Sequence, residues 1–139
     1  MNKLLIICDM FPPAFAPQNG ISMQNILTRM GWEVTVVTEY IEDNTFEFLT
    51  GYADVYCVRY YKASGKISKH IEWMWVMFLD ILFGYKDMRI INACIPLIKT
   101  NQYKGILCST YRTFPLTAAK TLAIHTNLPF VVDLRDIIE

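Results

Sequence analysis

Apolar positions along this chain recur at two spacings, and the spacings take turns. Lys3 to Cys8 (K-L-L-I-I-C) is a short continuous apolar run closed by Asp9 and Phe11-Pro12-Pro13, as expected of a strand buried on both faces. After a loop containing three prolines, Met23, Ile26, Leu27 and Met30 fall at i, i+3, i+4 and i+7, and Gly31 is placed to end that helix. Glu33 to Thr38 is rich in β-branched residues and predicts a second strand, close enough behind the helix for a right-handed parallel crossover. Val55 to Tyr60 predicts a third strand, near an edge.

Ile67, Ile71, Met74, Phe78 and Ile81 mark one face of a helix ending near Phe83. Trp73, Trp75, Val76 and Met77 make its middle apolar nearly all round, which predicts either burial against the sheet or contact with something apolar besides the core. Met88, Ile91, Ile95 and Ile98 mark another helical face between Asp87 and Lys99, where Pro96 is expected to kink or restart the helix. Gly105 to Cys108 reads as a strand, Leu116, Ala119 and Ala123 as a helix ended by Asn127, and Pro129 to Val132 as the start of a last strand. The order β-α-β, β, α-α, β, α, β predicts an α/β fold, an open parallel sheet of about five strands with helices on both faces. Ligands of such sheets bind beyond the carboxyl ends of the strands. Polar residues gather at three of those ends: Asp9 with the segment to Gly20, Ser109 to Thr113, and Asp133 to Asp136.

Composition narrows the classes. With 139 residues, 53% hydrophobic and 19% charged, the chain suits one packed domain and not a disordered tail or a disulfide mini-protein. Thirteen basic and thirteen acidic residues cancel, which disfavours a basic nucleic-acid module. The balance is uneven along the chain: Glu33 to Asp54 carries six acids and no base, whereas Arg59 to Lys104 carries eight bases and three acids. Cys8, Cys57, Cys94 and Cys108 each lie in an apolar run without metal-ligand spacing and are expected to be buried thiols of a reducing compartment. The first apolar run ends at Asp9 with no small-residue cleavage site after it, so a signal peptide is not expected. Asp80 interrupts the long apolar helix, so a transmembrane span is not expected either.

Three clusters carry candidate chemistry. Asn19 and Gly20 stand at a helix entrance, where their backbone either makes an ordinary turn or presents N–H groups to an anion such as a diphosphate. In the same loop Phe11, Pro12, Pro13, Phe15 and Pro17 form either a rigid wall toward a substrate or a cap on the sheet. Asp133-Leu134-Arg135-Asp136 is either a self-satisfied ion cluster or a site in which Arg135 grips phosphate or sugar oxygens and an aspartate meets a hydroxyl. Ser109, Thr110, Arg112 and Thr113 either cap the next helix or bind a sugar. Neither G-x-G-x-x-G, a Walker loop nor G-x-S-x-G is present, which disfavours standard NAD binding, P-loop NTP hydrolysis and a serine-hydrolase elbow. His70 and His125 lack acidic partners at useful spacing and are assigned no catalytic role.

Together the clusters carry a family resemblance. The stretch from K-L-L-I-I-C-D-M-F-P-P to Q-N-G-I-S-M-Q-N-I-L-T-R-M-G-W-E-V-T-V-V-T resembles the N-terminal, acceptor-side domain of family 4 glycosyltransferases of the GT-B type, and L-P-F-V-V-D-L-R-D resembles the same domain's P-x-x-x-D-x-R-D stretch. These anchors lie at opposite ends; Tyr40 to Gln102 matches in pattern only. The resemblance implies a Rossmann-like lobe that moves a sugar from a nucleotide diphosphate sugar to a glycan or lipid-linked hydroxyl, with no cofactor and no essential metal. It places Asn19 and Gly20 at the donor diphosphate. Arg135 and Asp136 fall at the catalytic position, in the D-x-R-D subgroup rather than the one with histidine. Phe11, Pro13, Gln18, Ser109, Thr110, Arg112 and Asp133 would border the acceptor. It implies further that residues 1–139 are an incomplete first lobe, that a second, donor-binding lobe lies elsewhere, and that the enzyme is cytoplasmic, with residues 59–89 as a peripheral membrane contact. The reading from another class is a stand-alone, non-catalytic α/β ligand-binding or interaction domain.

Overall fold

The computed structural model describes residues 2–9, 25–39, 54–110 and 115–134. Its elements are β1 (Asn2–Cys8), β2 (Trp32–Glu39), β3 (Asp54–Val58), α1 (Lys66–Phe83), α2 (Tyr85–Thr100), β4 (Tyr103–Thr110), α3 (Leu116–Thr126) and β5 (Phe130–Leu134). A helical segment over residues 25–29 leads into β2. The strands form one parallel sheet in the order β3-β2-β1-β4-β5, so the α/β expectation holds.

Strand alternation divides the core between two faces. Leu5, Ile7, Val37, Ile106 and Cys108 point to the side covered by α2 and α3, where they meet Ile90, Cys94, Ala118, Ala119 and Leu122. Ile6, Cys8, Val34 and Val36 point to the other side, against half-buried Leu27 of the 25–29 segment. β1 sits at the centre and is buried on both faces, which explains its unbroken apolar run. The edge strands are far more open, and Val131 of β5 is 61% exposed.

Local signals set the boundaries. Gly31 ends the first helical segment with φ +80°, and Asn127 ends α3 with φ +55°, both in the left-handed region that allows a helix to stop. Gly84 (φ +60°) closes α1 through its N–H to the Asp80 carbonyl at 2.8 Å and opens α2 through its own carbonyl to the Met88 N–H at 3.0 Å. Within β4, a Cβ on Gly105 would stand 3.3 Å from the Pro129 carbonyl oxygen, which itself accepts the Ile106 N–H at 2.8 Å and starts β5 in register.

Four expectations need correction. The α1 face marked by Ile67, Ile71, Met74, Phe78 and Ile81 is exposed, and only Val76 is buried. The helix packs on α2 through its narrow polar-edged side, so its broad apolar side turns outward. In α2 the inward side runs through Lys86, Ile90 and Cys94, whereas Met88 and Ile95 are exposed. The packed stripe is therefore displaced around the helix from the one that isoleucine spacing suggests. The helix runs unbroken through Pro96, because the only bond lost is the one to the Asn92 carbonyl and both residues lie on the exposed side. Finally, Cys57 is exposed on edge strand β3, while Cys8, Cys94 and Cys108 are buried as expected.

Candidate functional site

In the order β3-β2-β1-β4-β5 the chain leaves β1 toward one side and β4 toward the other, so the topological switch point lies between β1 and β4. The carboxyl ends of the strands at such a point are the ordinary ligand position of open α/β sheets. Register places Thr38, Cys8, Ser109 and Asp133 in one row across that edge. Because neighbours in register share a face, Ser109 and Asp133 point to the side of Ile6 and Val36, away from α2 and α3. Their side chains meet: Ser109 Oγ donates to Asp133 Oδ2 at 3.1 Å.

The pairing shows where the Ser109 hydroxyl goes. Ser109 spends its hydroxyl on the aspartate of the next strand and not on a helix cap. At the start of α3 the N-cap residue is Pro115, which supplies no side-chain bond. The first-turn amide of Ala118 donates instead to Asp87 Oδ1 at 3.0 Å, so α3 is capped from α2. Thr110 is 1% exposed and belongs to the helix-covered side, where it meets its neighbours rather than solvent.

On that helix-covered side lies a polar cluster that sequence reasoning missed. Lys86, 8% exposed, pairs with Glu39 at the end of β2, Nζ to Oε1 3.7 Å. Its ammonium stands 5.2 Å from the Tyr60 ring centre and 5.8 Å from that of Tyr61, within cation–π range. Tyr60 Oη donates to the Lys86 carbonyl at 3.4 Å, and Asp80 Oδ1 accepts the Lys86 N–H at 2.8 Å. Burial first, and then the charges of Glu39, Asp87 and Asp80, hold the Tyr60 hydroxyl far above its ordinary pKa, so it remains a donor. Burial also raises the Asp87 carboxyl, opposed by the Ala118 N–H bond. The Cys108 thiol is pushed up to about 12, mainly by burial and then by the Asp9 and Asp87 carboxylates. The signal in the sequence was slight: Lys86 and Asp87 follow the Gly84 break directly, where a charged pair at a helix start ordinarily faces water.

Chemically, the two sides differ. The Lys86 cluster is engaged with its own neighbours and fixes the ends of β2, α1 and α2 relative to one another. The Ser109–Asp133 pair offers a carboxylate and a hydroxyl at the strand ends, the groups that position sugar-like hydroxyls. Among the described residues there is no cluster of three or more His, Cys, Asp or Glu side chains able to hold a metal ion. Of the predicted site residues, the structure brings Ser109 and Asp133 together, whereas Thr110 is buried on the opposite, helix-covered face of the sheet. Phe11, Pro13, Gln18, Asn19, Gly20, Arg112, Arg135 and Asp136 lie outside the described residues. The chain nevertheless enters those segments from Asp9, Thr110 and Leu134, all at the same edge of the sheet.

No family model matches the chain, and no curated protein does. Solved structures do share its fold. The C-terminal domain of a hydrogenase from Pyrococcus furiosus superposes with a TM-score of 0.60 at 13% identity, over 96% of this chain and 91% of that one. MurG of Acinetobacter baumannii gives 0.58 at 6% identity, over 95% of this chain and 35% of its own. A UGT transferase of Siraitia grosvenorii, in complex with UDP, gives 0.56 at 13% identity, over 94% and 27%. This chain thus spans about a third of MurG and a quarter of the plant transferase. At such identities the likeness is one of fold: this chain has an open five-stranded α/β fold of Rossmann type, shared by lobes of glycosyltransferases and by a hydrogenase domain.

Proposed function

We propose that this chain is the acceptor-side lobe of a family 4, GT-B glycosyltransferase. The enzyme would move a sugar from a nucleotide diphosphate sugar to a glycan or lipid-linked hydroxyl in cell-surface polysaccharide or glycolipid synthesis. The observation that carries the reading is the Ser109–Asp133 pair at the carboxyl edge of β4 and β5, beside the β1/β4 switch point. A carboxylate accepts at about four lone-pair positions, so Asp133 can hold the Ser109 hydroxyl and an acceptor hydroxyl together. Support comes also from the fold shared with two transferases over nearly the whole chain, one of them carrying UDP.

In this reading Asn19 and Gly20 offer backbone N–H groups to the donor diphosphate, and Arg135 stabilises the charge that develops on it as the glycosidic bond breaks. Asp136 shares the catalytic position, while Phe11, Pro13, Gln18 and Arg112 border the acceptor. Thr110, buried on the opposite face, takes no part in acceptor binding in this reading. No resident cofactor is required, and the main donor contacts come from a second α/β lobe. The half-open apolar surface of edge strand β5, including Val131 and Leu134, suits a sheet that continues into further protein.

The test uses the longest reading frame containing this chain. Purified two-lobe protein should transfer sugar from a nucleotide sugar donor, and Gly20→Trp and Arg135→Ala should each abolish transfer while leaving the thermal midpoint unchanged. Unaltered transfer in both variants, or turnover by the 139-residue chain alone, would overturn the reading.

A further inference from the structure

We propose that Ser109 and Asp133 clamp a vicinal diol of an uncharged saccharide ring, whose apolar side rests on Val131. Register and alternation put the parts of this site on one face of the sheet. Leu107 pairs with Val131 and Ser109 with Asp133, so the four side chains make two successive rungs on β4 and β5, an apolar one and then a polar one at the carboxyl edge. α2 and α3 cover the opposite face, and on this face Leu27 of the 25–29 segment packs with Ile6, Val34 and Val36, toward β1 and β2. Val131 is accordingly 61% exposed, next to half-buried Asp133. An apolar step bordered by a hydroxyl and a carboxylate matches a sugar ring, which has apolar C–H groups on its faces and hydroxyls on its rim.

Donors and acceptors select the ligand group. Ser109 has one hydroxyl proton and gives it to Asp133 Oδ2 at 3.1 Å, so toward a ligand its oxygen only accepts. An ionised carboxylate accepts only as well, and the Ser109 bond occupies one of its lone-pair positions. Two neighbouring acceptors therefore require two neighbouring donors. Gauche hydroxyls on adjacent ring carbons stand about as far apart as two hydrogen-bonded oxygens, so one meets Ser109 Oγ while the other meets Asp133 Oδ2. A phosphate brings acceptors and a like charge, and the pair rejects it. Ser109 is 8% exposed, so the bonds form largely out of water, where each is stronger. A nucleoside ribose carries the same diol. Rossmann sheets hold that ribose at the end of the strand after the first helix, which here is β2, two strands away from β4. The β4–β5 edge is thus left to the saccharide that receives the sugar.

The inference rests on the acceptor-side reading for the origin of its ligand, but its test contains no nucleotide sugar and no transfer. The 139-residue chain is titrated with small probes and followed through its backbone amide resonances. Methyl mannoside and the cis vicinal diol of cyclohexane should shift the Ser109, Val131 and Asp133 signals saturably. The trans isomer with hydroxyls on alternate ring carbons should bind about tenfold more weakly, because it loses one of the two bonds. Inorganic phosphate should leave the signals unmoved. Ser109→Ala should bind both cyclohexane diols alike with unchanged far-ultraviolet circular dichroism, a loss of discrimination that destabilisation alone does not produce. Asp133→Asn should weaken both, and Val131→Asp should weaken the ring compounds while leaving the fold intact. Equal binding of the two isomers by the wild-type chain, or retained discrimination in Ser109→Ala, overturns the clamp. A stronger response to uridine than to mannoside, lost with deoxyuridine, overturns the assignment to a saccharide. Sugar transfer by a longer protein that lacks diol discrimination would sink this inference alone, whereas discrimination without transfer would sink only the proposed function.

Discussion

Ser109 and Asp133 are 24 residues apart in sequence yet directly opposite in the β4–β5 register, and their side chains close a 3.1 Å hydrogen bond at the carboxyl edge of the sheet. A hydrogen bond to a charged group is worth about 1.5–3 kcal/mol. If the proposed sugar transfer holds and Asp133 also binds the acceptor, Asp133→Asn should lower kcat/KM for transfer by the longer protein about tenfold to a hundredfold. Ser109→Ala should lower stability by about 1 kcal/mol in urea titration, because Asp133 can turn to water at this half-open edge.

Lys86 and Glu39 give a different kind of test. Both side chains are largely buried, so Lys86→Met strands a carboxylate and should cost about 2–4 kcal/mol, with most of the loss recovered in Lys86→Met/Glu39→Gln. A double-mutant cycle by chemical unfolding reads the coupling directly. Additive losses would show that the Tyr60 and Tyr61 rings, not Glu39, hold the ammonium.

Asp87 caps a helix that is not its own. Asp87→Ala should destabilise the chain by about 1–2 kcal/mol, since it removes the acceptor of the Ala118 amide at the first turn of α3. Asp87→Asn keeps an acceptor oxygen and removes a charge that burial opposes, so its loss should be less than half as large by the same measurement.

The Cys94 thiol is pushed up to about 12 by burial alone, against an ordinary value of 9.0. Between those values the folded state holds a proton that the unfolded chain releases, so the contribution is complete below pH 9 and is lost as pH rises toward 12. Wild-type stability should fall with pH in this window by about 1.4 kcal/mol per unit more steeply than that of Cys94→Ala. In the native state at neutral pH only Cys57 should react with a thiol reagent, and Cys8, Cys94 and Cys108 should follow on unfolding.

Much of the fold was legible because its signals are local. The apolar run Leu4 to Ile7, the β-branched Val34 to Val37, Gly31, Gly84 and Asn127 each state a backbone preference within a few residues. The candidate site was legible as polar residues at strand ends, and Ser109 with Asp133 is the pair that the structure joins. Less legible was the Lys86 cluster, because a lysine at a helix start looks the same in sequence whether it faces water or Glu39.

The sequence by itself determined the alternation of strands and helices, their parallel pairing and the edge at which polar groups gather, since these follow from periodicity, turn chemistry and crossover rules. Only the tertiary structure decided which side of each element is inside. α1 has apolar residues nearly all round, so its hydrophobic pattern names no inward face. The choice fell to packing against α2, which takes Val76 and leaves Ile67, Ile71, Phe78 and Ile81 outside. Spacing specifies a face only when the opposite face is polar. Where it is not, the contacts available to the whole chain decide, and here they turn the most apolar of the described helices outward.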